Sequence, residues 1–142
     1  MTSAMMSKVR ARDNRAEVLL RSILWRRGYR FRLQSKSLIG RPDIVFPRYR
    51  TVVFVDGDFW HGRALREGGD EALRGVIRGQ RFDWWKIKLS RNVERDKEVE
   101  ATLRRDGWKV VRVWESAVLR NPETAARRIE RALRRHVSSR GD

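Results

Sequence analysis

The apolar positions of this chain change their period several times, and each change marks an element. Ala16, Leu19, Leu20, Ile23 and Leu24 recur at steps of three and four, the spacing of one helix face. Asn14 before them is a capping residue and Gly28 after them a stop, so a capped amphipathic helix is predicted between the two. YRFRL (29–33) alternates ring and charge like a half-buried strand, and QSKSLIGRP, closing at Pro42, is loop chemistry. DIVF (43–46) and TVVFV (51–55) are short β-rich runs joined by PRYR, which predicts a hairpin in a sheet covered on both faces. Residues 62–83 hold five glycines and scattered charge and are expected to form a loop. From Trp84 to Asp106 the chain has neither Gly nor Pro, which predicts a long helix stopped by Gly107. WKVVRVW (108–114) is a further strand, and PETAARRIERALRRH (122–136) a basic helix opened by Pro122. SSRGD is expected to fray. This order predicts an α/β fold with a mixed central sheet flanked by helices.

Length adds that 142 residues suit one domain with a real core. The expectation is a single domain over 1–142, with an N-terminal arm over about 1–13 and a tail over about 138–142. Charge changes the picture more. Lys+Arg total 34 against 18 Asp+Glu, a formal net charge of +16, while 40% of residues are hydrophobic. That is too apolar for disorder, and the excess of positive charge points to a polyanion, above all nucleic acid phosphate. No run is long enough to span a membrane and no secretion signal is evident, so a cytoplasmic protein without a membrane partner is expected. The absence of cysteine excludes disulfides, thiolate nucleophiles and sulfur-ligated zinc, so a structural zinc is predicted absent and any metal must be held by oxygen.

The densest chemistry lies in FVDGDFWHG (54–62). A strand delivers Asp56 at its exit, and Asp58, Phe59, Trp60 and His61 follow before Gly62 frees the chain. Core packing would account for the rings but not for the carboxylates. Asp43, between Pro42 and IVF, is costly to bury alone. It is either a turn-capping aspartate or a ligand. Glu17 either complements its helix dipole or faces the sheet rim. Magnesium takes one or two carboxylates, waters and substrate phosphate. In a hairpin, Asp43 at the start of one strand lies beside the backbone around Val55 at the end of the next. His61 can then take the proton of an attacking water, and the pattern points to metal-dependent phosphodiester hydrolysis. In DWWKIKLSRNVERD (83–96), tryptophans stand among Lys86, Lys88, Arg91 and Arg95. They either pack the helix or offer stacking surfaces beside phosphate contacts.

Taken together, MSKVRARDNRAEVLLRSILWRRGYRFRL, LIGRPDIVFPRYRTVVFVDGDFWHG, WWKIKLSRNVERD and GWKVVRVWE resemble, in that order, the very short patch repair mismatch endonucleases, from about Met6 to Leu119. The resemblance implies a restriction-endonuclease-like nuclease of the PD-(D/E)xK type that nicks duplex DNA beside a thymine mispaired with guanine. It makes Asp43 the Mg2+-binding carboxylate, the Val55 carbonyl a further ligand, and His61 the general base. Glu17 would hold the metal's water from the helix side, and Asp56 joins this catalytic group. Phe59, Trp60 and Trp85 match rings inserted next to the mismatch, while Lys88, Asn92, Arg95 and Asp96 fall in the segment lining the DNA groove. The family commonly carries zinc-binding cysteines near the positions of Asp58, Arg63 and Ser116. Here an Asp58–Arg63 ion pair is expected instead.

The leading expectation is therefore a magnesium-dependent DNA endonuclease nicking double-stranded DNA at a T·G mismatch, as a monomer that joins the nucleoid when bound. A related homing- or restriction-type nuclease with another target, and a DNA-binding module without catalysis, stand beside it. Charge supports all three, whereas pure binding needs neither Asp43 nor His61.

Overall fold

In a computed structural model, the backbone of residues 3–140 and the side chains of 15–134 are described. Helix α1 spans Ser3–Arg26, followed by β1 (Arg32–Leu33), β2 (Ile44–Phe46), a 3-10 turn (Pro47–Tyr49) and β3 (Thr51–Asp56). Helices α2 (Arg63–Val76) and α3 (Phe82–Arg105), strand β4 (Lys109–Trp114), and helices α4 (Glu115–Arg120) and α5 (Pro122–Arg140) complete the order. The four strands lie in the order β1-β2-β3-β4, the first two pairs antiparallel and β3–β4 parallel. This is the expected mixed α/β sheet, in keeping with a restriction-endonuclease-like fold.

Strand alternation distributes one buried sheet between two cores. Val53, Val55, Val111 and Val113 meet Leu20, Leu24, Ile129 and Leu133 from α1 and α5. On the opposite face, Val52, Phe54 and Val110 meet Val99 and Leu103 from α3. With helices on both faces, every residue of β3 is buried, which is why TVVFV reads as a continuous apolar run. Arg27 joins the α1 side to α5 through Glu123 and Glu130.

The expected boundaries shift in four places. Helix α1 starts at Ser3, so Asn14 lies inside it, although the described side chains begin only at residue 15. Of YRFRL only Arg32–Leu33 pairs in the sheet. Phe31 and Tyr29 instead make edge contacts with Phe46, which satisfies the rings without a ladder. Residues 62–83 are largely helical: Leu73 of α2 packs with Phe82 and Leu89, an apolar face hidden in the sequence by three interposed glycines. Gly69, at φ 64° and ψ −153°, breaks α2 into two segments, a conformation that glycine permits. Helix α4 was not anticipated. The tail expected to fray is helical as far as Arg140, the end of α5, and Gly141 and Asp142 lie outside the described residues.

Candidate active site

The hairpin register sets Ile44 opposite Val53, which places Asp43 at the open end of β3. There the Asp43 main-chain N–H donates to the Val53 carbonyl at 3.0 Å, and Asp43 Oδ2 accepts the Val55 N–H at 2.7 Å. Asp43 and the Val55 peptide are thus brought together. Gln34 ties this corner to α1: its N–H donates to the Asp43 carbonyl at 3.0 Å, and its side-chain amide reaches Glu17 Oε2 at 3.5 Å. Gln34 holds φ at 45°, a left-handed conformation that is uncommon outside glycine and tends to mark functional sites.

Glu17 is 5% exposed. Burial raises its pKa against the opposing effects of Gln34 and Arg21, and its Oε1 has no hydrogen-bond partner. The Arg21 guanidinium is the cation nearest that oxygen, an i,i+4 ion pair at 3.6 Å, too long for a hydrogen bond, so the buried carboxylate is only partly compensated. A glutamate linked through Gln34 to an aspartate at a strand end is a donor set chemically suited to a hard divalent ion, which needs few protein ligands. No group of three or more His, Cys, Asp or Glu able to hold a metal occurs among the described residues.

At the end of β3 the chain turns sharply, with hydrogen bonds from His61 N to Gly57 O, Gly62 N to Phe59 O and Arg63 N to Asp58 O. Gly62 takes φ 64° there, and a Cβ would come within 3.0 Å of Val93. The turn delivers His61 between two carboxylates. Its Nδ1 lies 2.6 Å from Asp96 Oδ2, and its Nε2 lies 3.7 Å from Asp56 Oδ1. An ionised Asp96 only accepts, so Nδ1 carries the proton in the neutral ring, whose lone pair is then on Nε2. Burial of the ring opposes its protonation, but the hydrogen bond to Asp96 and the charges of Asp56 and Asp96 outweigh this and raise the pKa. Burial also works against the charge of Asp96, yet His61, Arg112 and Arg66 lower its pKa.

Asp56 is 3% exposed. Arg112 Nη1 contacts both of its carboxylate oxygens at 3.0 Å. Burial nonetheless raises the pKa of Asp56. The loop acid Asp58 is engaged elsewhere: its carboxylate accepts from Arg63 at 2.7 Å, from the Ser116 hydroxyl at 2.6 Å and from the Ser116 N–H at 3.0 Å. The expected Asp58–Arg63 pair therefore forms as part of a three-membered cluster.

The aromatics also converge. Phe59 lies 5.3 Å from Trp60 and 5.1 Å from Trp85 between ring centroids, in edge-to-face contact. Trp85 is buried, whereas its neighbour Trp84 is 48% exposed. Lys88 Nζ stands 5.9 Å from the Trp60 ring and 5.3 Å from the Trp84 ring. Asn92 donates to the Trp60 carbonyl at 2.9 Å. Trp60, His61, Asn92, Arg95, Asp96 and Arg112 line a cleft of about 230 Å³. Asp96 thus faces His61 and lines the cleft with it. Sequence reasoning missed Gln34, Arg66 and Arg112; no spacing signal marks them, because each is defined by contacts distant in sequence.

Acidic oxygens at the end of β3 and a carboxylate-paired imidazole on the turn that follows are a set of groups a nuclease can use. The model for the DNA mismatch endonuclease Vsr matches residues 1–67. The chain is 36% identical over 129 residues to the type II nicking enzyme V.NmeDIP of Neisseria meningitidis serogroup C, covering 91% of this chain and 83% of that one. It is 44% identical to the type II nicking enzyme V.XorIIP of Xanthomonas oryzae, covering 78% of this chain and 76% of the relative. To the DNA mismatch endonuclease Vsr of Escherichia coli it is 37% identical, covering 80% of this chain and 68% of the relative. The chain belongs to the Vsr family of DNA endonucleases. Among the described residues no helix is long and apolar enough to cross a membrane.

Proposed function

We propose that this endonuclease nicks one strand of duplex DNA at a T·G mismatch, using magnesium, as a monomer in the cytoplasm. The reading is supported by two hydrogen-bonded pairs carried by the end of β3 and the turn after it: Asp43 on the Val55 peptide at 2.7 Å and His61 on Asp96 at 2.6 Å. Asp43 and the Val55 carbonyl would hold the ion, with Glu17 facing it from α1. A divalent ion there would supply Lewis acidity toward the phosphate and lower the pKa of nearby water.

The remaining work falls to the chain's own groups. His61 accepts the proton of the attacking water at Nε2, while Asp96 holds Nδ1–H and fixes which nitrogen is basic. Asp56, 3.7 Å from Nε2, stabilises the imidazolium that forms. Arg112 balances the Asp56 charge while the ring is neutral. Arg95 and Arg112 line the cleft beside the imidazole and favour a phosphate there. Phe59 and Trp60 read the distorted base step by stacking, supported from behind by Trp85, while Lys88 meets phosphate.

The test is cleavage of a synthetic duplex bearing one G·T pair, compared with its G·C counterpart at fixed salt and with magnesium. Wild-type protein is expected to nick one strand of the mismatched duplex. Asp43→Ala should lose about 1000-fold or more, equivalent to several kcal/mol of lost charge stabilisation. Undiminished nicking by Asp43→Ala would refute the site. Equal cleavage of both duplexes would refute the mismatch requirement and favour the homing- or restriction-type alternative.

A further inference from the structure

Arg66 sits one turn into α2, in a segment whose composition suggests loop. Its Nε donates to the His61 carbonyl at 2.8 Å, and its Nη2 donates to Asp96 Oδ2 at 2.8 Å. That same carboxylate oxygen receives His61 Nδ1. One planar guanidinium therefore spans the backbone of the histidine and the carboxylate that orients its ring. The first turn of α2 is itself anchored: Arg63 donates to Asp58 and to the Ser116 hydroxyl at 2.9 Å, and its guanidinium lies 5.3 Å from the Trp114 ring. Arg66 is an exposed residue whose side chain lies partly against the protein, 26% of its surface remaining accessible.

We propose that Arg66 is a positioning residue, a clamp from α2 that holds His61 and Asp96 in one mutual geometry. The inference rests on the nuclease reading above, in which His61 moves a proton. Geometry and charge pull in opposite directions here, which makes the role separable. A cation on Asp96 withdraws negative charge from the carboxylate that supports His61, alongside Arg112, which also faces Asp96 and Asp56. If charge alone counted, removing Arg66 would strengthen the pull of Asp96 on the ring. If the clamp counts, removal frees the carboxylate to rotate and the imidazole to change tautomer, and catalysis falls although the local electrostatics favour the base. The fork also matters, because a lysine ammonium is a point donor that cannot reproduce two divergent bonds from a rigid plane.

The experiment measures single-turnover nicking of the mismatched duplex by wild type, Arg66→Gln, Arg66→Lys, Asp96→Asn and the Arg66→Gln/Asp96→Asn double variant, with magnesium. The clamp predicts a rate loss of about 10-fold in Arg66→Gln, of the size that small misplacements produce. KM and the salt slope should stay unchanged, and Arg66→Lys should recover only part of the loss. The double variant should be no more than about 2-fold slower than Asp96→Asn alone, because the two residues act as a unit. Imidazole nitrogen NMR supplies a readout independent of cleavage. The chain has 2 histidines, so a His136→Ala background isolates His61, which should carry its proton on Nδ1 in wild type and show mixed tautomers in Arg66→Gln. A raised KM with an unchanged rate would overturn the clamp and make Arg66 a phosphate contact. Multiplying rate losses in the double variant, or an unchanged tautomer, would overturn it equally. His61→Ala separates the two levels. Loss of nicking in His61→Ala with none in Arg66→Gln refutes the clamp alone, whereas surviving activity in His61→Ala refutes the nuclease site on which it rests.

Discussion

At the scale of single residues, the protein places ionisable groups where burial and partners disagree, and the disagreement sets their chemistry. In the role proposed for it, His61 accepts a proton only when neutral, and its partners raise its pKa above the ordinary 6.5. The rising limb of kcat/KM should therefore be centred above that value. Asp96→Asn removes the charge and the ionic hydrogen bond while burial remains, so the limb should move toward acid as the maximal rate falls. A pH–rate profile between about pH 5 and 9 checks this, and an unmoved limb would mean that another group titrates. Glu17 presents the opposite case, a carboxylate whose charge is penalised by burial and whose Oε1 meets Arg21 at 3.6 Å without a hydrogen bond. Glu17→Gln should leave the metal-free protein as stable or up to about 1 kcal/mol more stable. It should also raise the magnesium concentration needed for half-maximal nicking. Thermal melts in chelator and a magnesium titration measure the two effects, and a destabilised variant with unaltered magnesium dependence would show Glu17 to be structural.

Among the elements, the join between β3, α2 and α4 matters most, because it carries the imidazole. Asp58 holds it together through Arg63 and Ser116. Burial works against the Asp58 charge, but the hydrogen bonds from Ser116 and Arg63 prevail and lower its pKa below 3.8. A carboxylate whose folded pKa is depressed contributes stability above its unfolded pKa and loses it as pH falls through the folded value. Asp58→Asn should therefore lower Tm at neutral pH, and the gap to wild type should close as the pH drops below the ordinary carboxylate range. A gap independent of pH would assign the loss to packing. What was legible in the sequence divides along the same line. β2, β3, β4 and α3 follow from unbroken apolar or glycine-free runs, and the proximity of Asp43 to Val55 follows from hairpin geometry. Helix α2 was illegible because glycine lowers helix propensity by about 1 kcal/mol per residue, while the contact of Leu73 with Phe82 and Leu89 that overrides this is tertiary. The Asp96–His61 pair was illegible for a related reason: 35 residues separate its members, and only the docking of α3 on the sheet joins them.

For the molecule as a whole, the question is which surface DNA meets. The net charge of +16 draws the protein to any duplex, and that attraction carries no sequence or mismatch information. On the proposed reading, discrimination comes from groups that register the shape of the base stack, and the rings of Phe59 and Trp60 stand beside the cleft that holds His61. Exposure sorts the neighbouring tryptophans: Trp85 is 8% exposed and backs the cluster, while Trp84 at 48% and Ile87 at 56% stand on the open face of α3. Trp60→Ala should therefore cut the ratio of mismatched to matched nicking by about 10-fold, the cost of a stacking contact worth about 1–3 kcal/mol, with little change in affinity for matched duplex. Lys88→Ala should weaken both duplexes alike and reduce the salt slope of binding by about one. The comparison is made with Asp43→Ala protein for binding and wild-type chemistry for nicking, so affinity and cleavage are read apart. If Trp60→Ala and Lys88→Ala lowered discrimination equally, the rings would be packing groups and the mismatch would be read through phosphate geometry. If neither did, recognition would lie on another face of the protein.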